Sequence, residues 1–425
     1  MRLPSLISST TCSLVLLALL VYHSYGFAVE QKRYTSCWSR PRILKTTVSL
    51  PTACYGWIEN GDGEWAWQED DKSYIAPALP TLTLKESTAT PTLPGGTFRP
   101  KQSLGQNFLR DANTVNKMIR AFHQDAIKKN PKVSIIIELG PGAGALTDPL
   151  VANYGTSVLK CIEIDPRSVE LLKEKHPGLQ VLHQDVLQAD YPALAQEYQN
   201  PLTVVGNLPY YITSQILFAL ADASHFGAVN SATVTMQWEV AQRMVAKTCT
   251  KDYGILSVVF QLYADTHLHF KIPPTVFYPQ PKVDSALVGL HFLGPLLLRE
   301  RLAGVDPKHL RQVVTTSFQQ RRKTVRNSLK KLVNELCLGD ADAAQLVFQS
   351  PPLPLPAIVQ AATSRGDLFA LQQGLPNDWA SKRPEELTPG QFVELTRLIF
   401  GPAQGEVDEE KPLGKKVWRK LKHGH

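Results

Sequence analysis

The stretch Gly206-Asn207-Leu208-Pro209-Tyr210-Tyr211 decides how the rest of the chain is interpreted. It follows the apolar run 202–205, which is typical of a buried strand that leads into a tight turn. Pro209 fixes its own φ angle and favours an extended backbone at Leu208, so the turn is stiff. Such a turn presents an amide, backbone carbonyls and a tyrosine ring to one pocket. This combination suits a planar base with an exocyclic amine, although Asn, Pro and Gly are also ordinary turn residues.

A glycine-rich segment follows another buried strand, which is predicted over residues 133–139. The segment reads Glu138-Leu139-Gly140-Pro141-Gly142-Ala143-Gly144, and its glycines allow the backbone to approach a ligand closely. The N–H groups of the helix that follows would face the same ligand. The spacing Gly-x-Gly-x-Gly differs from the Gly-x-Gly-x-x-Gly of dinucleotide-binding folds. The acid just before it is typical of methyl-donor sites.

Two further predicted strands are each followed by an acidic residue. The strand over 157–164 carries Glu163, which lies 23 residues after Gly140, about where an acid binds a ribose diol in doubly wound folds. After the next strand, 179–182, Asp185 can accept a hydrogen bond from an adenine amino group. Each acid alone is more simply explained as a surface residue. At the carboxyl ends of successive strands, however, both line the crevice in which such sheets bind ligands.

Composition and net charge exclude few classes of protein. The 425 residues have room for two or three domains, and a hydrophobic content of 43% suits a globular core. The net charge of +7 permits a nucleic-acid partner without requiring one. Because the six cysteines contain no Cys-x-x-Cys pair, the sequence predicts neither a disulfide framework nor a zinc site.

Residues 1–58 are expected to be a leader and not part of the fold. The apolar run 14–21 is too short for a membrane span, which needs roughly 20 residues, and suits the core of a signal peptide. Residues 31–52 are basic, rich in Ser and Thr, and free of acids, which is a transit-peptide composition. Together they resemble the bipartite leader of proteins sent to plastids with extra membranes; secretion or mitochondrial import is the alternative. Residues 59–98 are expected to be a disordered linker.

In their order along the chain, these motifs resemble the family of ribosomal RNA small-subunit adenine N6,N6-dimethyltransferases. The matching set comprises Gln106-Asn107-Phe108-Leu109, the glycine-rich segment, Glu163, Asp185 and the turn after residue 205. Later segments that agree with the same family are 236–243, 253–257, 276–285, 318–329 and 383–387. The resemblance covers about residues 99–400.

The resemblance implies an α/β fold, in which a seven-stranded Rossmann-like methyltransferase sheet is followed by a small C-terminal all-α domain. We expect the S-adenosylmethionine-dependent methyltransferase domain over residues 99–295 and a helical RNA-docking domain over 296–405. Residues 406–425 would be a basic tail. The proline-rich residues 339–380 match no motif and are expected to be a family-variable insert within the helical domain.

The resemblance also implies a site for S-adenosyl-L-methionine and for a target adenine, without a metal. The implied cofactor contacts are Asn107, Leu109, Gly140, Glu163, Asp185 and Asn207. The implied contacts of the adenine are Asn207, Leu208, Pro209 and Tyr210, with Phe277 closing on the other face of the ring.

A basic stretch lies beyond the predicted sheet. Residues 308–331 hold eight Lys or Arg and no acid on a helix-like stretch. A solvated basic face is the usual explanation of such a run, but beside a base-modifying pocket phosphate binding is favoured. The predicted RNA contacts in this stretch are Arg321, Arg322, Lys323 and Arg326.

The resemblance also implies the reaction, which is dimethylation of two adjacent adenines in a loop of small-subunit ribosomal RNA, within a pre-ribosomal particle. Two acceptors, the Asn207 amide and a backbone carbonyl, would bind the N–H groups of the amine and direct its lone pair at the methyl group. Positioning would then supply most of the rate. A stacked base must be unpaired or flipped, which favours a loop. We expect a monomer without stable membrane association once the leader is removed.

Two other functions stay open at this point. One is a methyltransferase that acts on large-subunit ribosomal RNA. The other is a non-catalytic assembly or transcription factor on the same fold. The intact Asn207, Glu163 and Asp185 argue against the second.

Overall fold

The computed structural model describes residues 56–59, 65–68, 84–127, 135–352 and 374–401, except positions 87, 94, 96 and 97. Most of the expected leader, all of the basic tail and residues 353–373 of the proline-rich segment lie outside the described residues. Within residues 1–74, strands β1 (Gly56–Glu59) and β2 (Trp65–Gln68) pair in an antiparallel sheet. The second of these strands falls inside the stretch expected to be a linker.

A seven-stranded sheet forms the centre of the unit that spans residues 75–425, as the sequence predicts. Its strands are β4 (Ile136–Leu139), β5 (Leu159–Glu163), β6 (Gln180–His183), β7 (Leu202–Asn207), β8 (Val229–Gln237), β9 (Ala264–Ile272) and β11 (Ser285–Phe292). The strand order is β6–β5–β4–β7–β8–β11–β9. All neighbours from β6 to β8 are parallel, whereas β11 is antiparallel to both β8 and β9. The short strands β3 (Phe108–Leu109) and β10 (Phe277–Tyr278) pair separately.

Helices cover both faces of this sheet, which explains why β4 is buried over its whole length. The helices of the sheet region are α1 (Ala112–Phe122), α2 (Thr147–Tyr154), α3 (Pro166–Lys175), α4 (Tyr191–Glu197), α5 (Thr213–Ser224), α6 (Trp238–Met244) and α7 (Ile255–Tyr263). Side chains of α1, α2 and α3 form one hydrophobic cluster, and side chains of α4 to α7 belong to the other.

Helix α1 illustrates how the sequence produces these elements. Asp111 is its N-cap, as the sequence predicts, and its carboxylate accepts a hydrogen bond from the backbone N–H of Thr114 at 2.7 Å. The apolar residues recur at i, i+3, i+4 and i+7, so one face of the helix is buried against the sheet. The buried residues of that face are Val115, Met118, Ile119 and Phe122. Directly after α1, residues His123–Ile127 form a turn of π-helix.

The C-terminal region is helical, as the sequence predicts. Its helices are α8 (Gly294–Arg301), α9 (Pro307–Gln319), α10 (Val325–Leu336), α11 (Ala341–Gln349) and α12 (Pro389–Phe400). The hydrophobic cluster of α4 to α7 continues without interruption into α9, α10 and α12. The helical region therefore shares a core with one face of the sheet.

The basic stretch 308–331, predicted to be helix-like, is divided between two helices. Helix α9 ends at Gln319, and α10 begins after Thr324, whose hydroxyl accepts a hydrogen bond from the N–H of Asn327. The backbone N–H of Val325 donates to the carbonyl of Lys382 at 2.8 Å. This tertiary bond and the threonine cap start a new helix, and the intervening residues 320–324 carry three of the basic side chains.

The end of the expected linker packs against the sheet region. The backbone N–H of Lys85 donates to the side-chain oxygen of Asn153 at 2.8 Å, and the Asn153 amide donates back to the Lys85 carbonyl at 3.1 Å. Glu86 lies 3.3 Å from Arg120 of α1. These contacts satisfy backbone groups near residue 85, so this part of the chain is joined to the domain that was expected to begin at residue 99. In the described part of the chain, no helix combines the length and the apolar character that crossing a bilayer requires.

Candidate active site

The predicted site residues meet where the strand order of the sheet reverses. The chain runs outward from β4 to β5 and β6 and then returns to β7 on the other side of β4. In such sheets the crevice between the two central strands is the ligand-binding position. Leu139 at the end of β4 is in register with Gly206 of β7, so the glycine-rich segment and the turn at Asn207 emerge side by side.

The side chain of Asn207 is held at both ends. Its Nδ2 group donates to the backbone carbonyl of Asn107 at 2.9 Å, and its Oδ1 atom accepts from the hydroxyl of Thr235 at 2.6 Å. Thr235 is fully buried in β8, opposite Asn207, and its oxygen accepts in turn from the N–H of Leu208 at 3.1 Å. These bonds fix the direction of the amide, and a carbonyl-type oxygen that accepts one bond retains a second lone pair.

The aromatic residues of the site are anchored differently from one another. The hydroxyl of Tyr210 is hydrogen-bonded to Ser285, which is fully buried at the start of β11. Burial raises the pKa of the Tyr210 hydroxyl, which stays protonated at neutral pH. Phe277 is 4% exposed and pairs with Leu109 across β10 and β3, so most of its ring belongs to the core. Its neighbour Tyr278 is the exposed ring of β10, with the guanidinium of Arg110 5.3 Å from its centre.

Glu163 is buried at the end of β5 and receives three backbone hydrogen bonds. Oε2 accepts from the N–H of Gly142 at 2.9 Å, and Oε1 accepts from the N–H groups of Ile164 and Asp165 at 2.8 Å each. Burial raises the pKa of this carboxyl, and the three N–H groups oppose that effect. The bond from Gly142 joins the glycine-rich segment to the acid, so that the two predicted ligand contacts form one rigid corner.

Gly140 leaves space at this corner. Its φ angle is +63°, and no heavy atom outside its immediate neighbours lies within 4 Å of the position that a Cβ atom would occupy. The open volume at the end of β4 therefore adjoins the Glu163 corner, which fits a ligand with hydroxyl groups that approaches the backbone closely.

Glu138, the acid before the glycine-rich segment that sequence reasoning took as typical of methyl-donor sites, lies beneath the same corner. It is 1% exposed in the middle of the sheet, and burial raises the pKa of its carboxyl to about 8. The thiol of Cys161 on β5 lies 3.8 Å from its Oε2 atom. The raised pKa favours the neutral form of this buried carboxyl at pH 7.

Asp185 is placed at the same edge, after β6. Its Oδ1 atom accepts from the N–H of Leu187 at 2.9 Å, which fixes the direction of the half-buried carboxylate. Tyr211 lies close by: partial burial raises the pKa of its hydroxyl, and the negative charge of Asp185 adds to the effect. Tyr211 is 61% exposed and packs on Gly105 of the N-terminal segment.

Residues 101–107 run along the edge of the sheet from Asp165 to Asn207. Sequence reasoning did not foresee this path of the segment. Lys101 lies 3.1 Å from Asp165, and the Gln106 amide donates to the same carboxylate at 3.0 Å. Asp165 is fully buried; burial would raise its pKa, but hydrogen bonds from Arg167, Gln106 and Lys101 outweigh this and hold the pKa well below its usual range. This buried anion fixes the segment that carries Asn107.

The four predicted RNA contacts do not share one environment. Arg321 donates to the backbone carbonyls of Lys251 and Tyr253 at 2.8 and 3.0 Å and lies 3.3 Å from Glu385. Arg326 is bonded to Gln345. Arg322 and Lys323 are exposed on the connection between α9 and α10. The structure thus gives Arg321 and Arg326 contacts within the protein that the sequence did not indicate.

The structure therefore places Gly140, Glu163, Asp185 and Asn207 at one edge of the sheet, with the Asn107 carbonyl bonded to Asn207. Leu109 is buried in β3, where it pairs with Phe277. Thr235, Ser285 and Asp165 are the supporting residues that sequence reasoning missed. A buried threonine or serine in a strand carries no distinctive local signal. Only the parallel register of β7 with β8 reveals that Thr235 faces Asn207.

Comparisons with known proteins agree with this arrangement. A family model described as ribosomal RNA adenine dimethylase matches residues 97–340. Ribosomal RNA small subunit methyltransferase A of Salinibacter ruber (strain DSM 13855 / M31) is 41% identical over 302 residues, which cover 71% of this chain and 86% of that protein. The protein of the same name from Chlorobium chlorochromatii (strain CaD3) is 41% identical over 248 residues, 58% of this chain and 87% of the relative.

Among solved structures, a dimethyladenosine transferase from Plasmodium falciparum is similar with a TM-score of 0.49 and 23% identity, covering 68% of this chain and 95% of that one. The fold assignment follows from the strand order and the family match, which spans the whole sheet and the first helices beyond it. The chain therefore belongs to the ribosomal RNA adenine dimethylase family.

Proposed function

We propose that the protein transfers methyl groups from S-adenosyl-L-methionine to the N6 amines of two adjacent adenines in a loop of small-subunit ribosomal RNA. Family membership supports the methyl donor and the adenine, and the names of the relatives support the small subunit. The observation that carries the chemistry is the Asn207 amide, which is fixed from both ends at the switch point of the sheet. The product would be dimethyladenosine, formed during ribosome biogenesis.

The corner around Glu163 supports binding of the methyl donor, which supplies an electrophilic methyl group when bound. Glu163 would bind the ribose hydroxyls, and Asp185 would accept from the adenine amine of the cofactor. Gly140 would allow close approach of the cofactor to the end of β4. The other expected contacts are Asn107, Leu109 and Asn207, which meet there through the bond between Asn207 and the Asn107 carbonyl.

The turn after β7 supports binding of the target base. The ring of Tyr210 is fixed by its bond to Ser285, so it can serve as a stacking surface for an extruded adenine. Leu208 is buried and Pro209 stiffens the turn, which keeps the backbone carbonyls in place. Phe277 would contact the opposite side of the base with the edge of its ring.

The chain's own contribution to the reaction is orientation of the amine. Asn207 Oδ1 and a backbone carbonyl of the turn would accept the two N–H groups, and the nitrogen lone pair would then point at the methyl group. Thr235 donates to Oδ1 and thereby holds it in place during the transfer. Because the leaving group is a neutral thioether, the step needs little acid–base chemistry, and positioning supplies most of the rate.

Asn207→Ala tests this proposal directly. It removes one preorganised acceptor, which typically costs about 10²–10³ in rate. We expect methyl incorporation at saturating cofactor to fall by that order, cofactor affinity to fall modestly and RNA binding to stay near normal. Glu163→Ala is the matched comparison and should mainly raise the dissociation constant of S-adenosyl-L-methionine, measured by calorimetric titration. If Asn207→Ala methylated RNA at the wild-type rate, Asn207 would have no role in orienting the amine and would serve only to form the turn.

The RNA target is tested separately. Mass spectrometry of ribosomal RNA from cells that lack the protein should show the loss of dimethyladenosine from the small subunit alone. Loss from the large subunit would instead identify the methyltransferase of large-subunit RNA. If no modification is lost, the non-catalytic assembly factor becomes the function.

The proposal extends to the place of action, which is a plastid. It depends on the leader sequence alone, in which an apolar core is followed by a basic stretch without acids. A fusion of residues 1–98 to a fluorescent protein should enter plastids, with a fusion that begins at residue 99 as its control. A fusion protein that stayed in the cytosol, was secreted or entered mitochondria would contradict this localisation.

A further inference from the structure

A second group of polar side chains lies on the sheet far from the methyl-transfer site. Asp125, on the π-helical turn after α1, lies 2.7 Å from His291 of β11 and 3.2 Å from His269 of β9. A potential ligand atom of Asp125, one of His267 and one of His291 all lie within 4.8 Å of one another. Three imidazoles and one carboxylate thus converge, although they come from three separate elements.

The sheet is built to receive this carboxylate. A Cβ atom on Gly289 of β11 would lie only 2.1 Å from Oδ2 of Asp125. The carboxylate therefore occupies the place of the side chain that Gly289 lacks, flat on the sheet and 5% exposed. His267 is the direct cross-strand partner of Gly289, which places its ring next to the same point.

Two backbone irregularities aim side chains at this point. In the pairing of β9 with β11, Phe270 is opposite Leu287 but Leu268 is opposite Val288, so His269 is the additional residue of a β-bulge. Bulges of this kind redirect a side chain. On the helical side, Asp125 lies in a turn of π-helix, a feature that is frequent at functional sites.

The donor set matches a transition-metal ion. Imidazole nitrogen and carboxylate oxygen are ligands of Zn²⁺, and two ligand atoms ~2.0 Å from one tetrahedral ion lie ~3.3 Å apart. The separations within the cluster require only small side-chain shifts to reach that geometry. His267 is exposed, whereas Asp125 is buried, so an ion has an entry path on one side and a low-dielectric wall on the other.

We propose that Asp125, His267 and His291 bind a divalent transition-metal ion, with Zn²⁺ as the best fit, and that the ion joins the edge strands of the sheet to the turn after α1. His269 contacts the same carboxylate and either orients it or completes the coordination. Cysteine spacing predicted no zinc site, but this site uses no cysteine. An ion pair between Asp125 and protonated histidines is the competing explanation.

The role of this site is distinct from methyl transfer. Ser285, beside Tyr210, and His291 lie six residues apart on β11, which corresponds to roughly 20 Å along a strand. The ion is therefore too far away to act on a base held at Asn207. Its effect would be on the stability of the sheet edge, by the binding free energy that a ligand of the folded state supplies.

Zinc titration of the full chain tests the proposal. The tail contains His423 and His425, which could themselves bind zinc. Both are therefore replaced by glutamine in every protein of this test, and the protein that carries only these two changes is the parent. The parent should bind one Zn²⁺ by calorimetric titration and show a rise in its unfolding temperature that chelation reverses. His267→Gln should weaken this binding by about tenfold or more, and so should Asp125→Asn. His309→Gln, which alters a histidine stacked on Phe400, is the control and should bind like the parent.

If Asp125→Asn fails to fold, His267→Gln still tests the proposal, because His267 is exposed and its replacement should not disturb the fold. Substitution by cobalt should give the visible absorption of a tetrahedral site in the parent and not in His267→Gln. Methylation should be equally fast with and without chelator. Absence of zinc binding in the parent, or equal binding by parent and His267→Gln, would overturn the proposal in favour of the ion pair.

Discussion

The carboxyl edge of the sheet and the basic stretch of residues 308–331 hold their polar groups in different ways. At the edge, Asn207 and Glu163 are each fixed by two or more bonds, and the partners of Asn207 lie as far away in sequence as Asn107. In the basic stretch, Arg321 and Arg322 are both exposed, and Arg321 donates hydrogen bonds to two backbone carbonyls. Chemistry at one atom needs fixed geometry, whereas attraction to phosphates needs only charge at the surface.

The largest effect is expected for the carboxyl group of Glu138, which is buried beneath the edge. Glu138 has a pKa of about 8, well above the ordinary value of 4.5. Its contribution to stability is therefore full below pH 4.5 and is lost as the pH rises towards 8, because only the unfolded state ionises in that window. Glu138→Gln avoids this loss. The free energy of unfolding of the variant should therefore rise relative to that of the wild type by roughly 3 kcal/mol between pH 5.5 and 8.

Urea unfolding at several pH values measures that difference. Glu174→Gln, at an exposed position of α3, is a control of the same chemical change. A gap between Glu138→Gln and the wild type that stays constant with pH would show that Glu138 is ionised in the folded protein.

The next effect concerns the support of Asn207. Thr235→Val keeps the shape of a fully buried side chain but removes both of its hydrogen bonds, so the amide of Asn207 is held only at its Nδ2 end. We expect kcat to fall roughly 10- to 100-fold, since small misplacements of a reacting group have effects of that size. The dissociation constants of cofactor and RNA should change little. Thr235→Ser, which retains the hydroxyl, should recover most of the rate in single-turnover methylation.

A smaller effect is expected for an exposed charge. Arg322→Glu should weaken RNA binding several-fold and reduce the slope of log affinity against log salt by about 1. Lys173→Glu makes the same charge reversal on α3 and should change neither quantity. Fluorescence anisotropy with a small-subunit RNA fragment at several salt concentrations makes the measurement. If the two variants had the same RNA affinity and the same salt slope, Arg322 would belong to a solvated surface that does not contact RNA.

The smallest effect separates Arg321 from its neighbour. Arg321→Gln loses hydrogen bonds that link the connection before α10 to the segment before α7, and we expect a loss of about 1 kcal/mol in the free energy of unfolding. Arg322→Gln should cost less, because in the described part of the chain the side chain of Arg322 makes no hydrogen bond of this kind. If Arg321→Gln left stability intact but lowered the salt slope, Arg321 would belong with the RNA contacts.

The difference between these regions also explains how far sequence reasoning reached. The strands before Gly140, Glu163 and Asn207 and the cap at Asp111 were predictable, because apolar runs, glycines and capping residues act over a few neighbours. The break between α9 and α10 was not, because a bond from Val325 to Lys382, far along the chain, helps to create it. The structural bonds of Arg321 likewise depend on carbonyls 68 and 70 residues away.

The sequence by itself determined which groups reach the edge of the sheet, since each lies at the end of its own strand in a local pattern. Only the tertiary structure decided what holds them: Thr235 against Asn207, Asp165 against Lys101, and Asp125 over Gly289. The physical reason is that a hydrogen bond or a steric fit depends on register and on distances of a few ångströms. Those distances are set by strand pairing between segments whose separation in sequence carries no information about their contact.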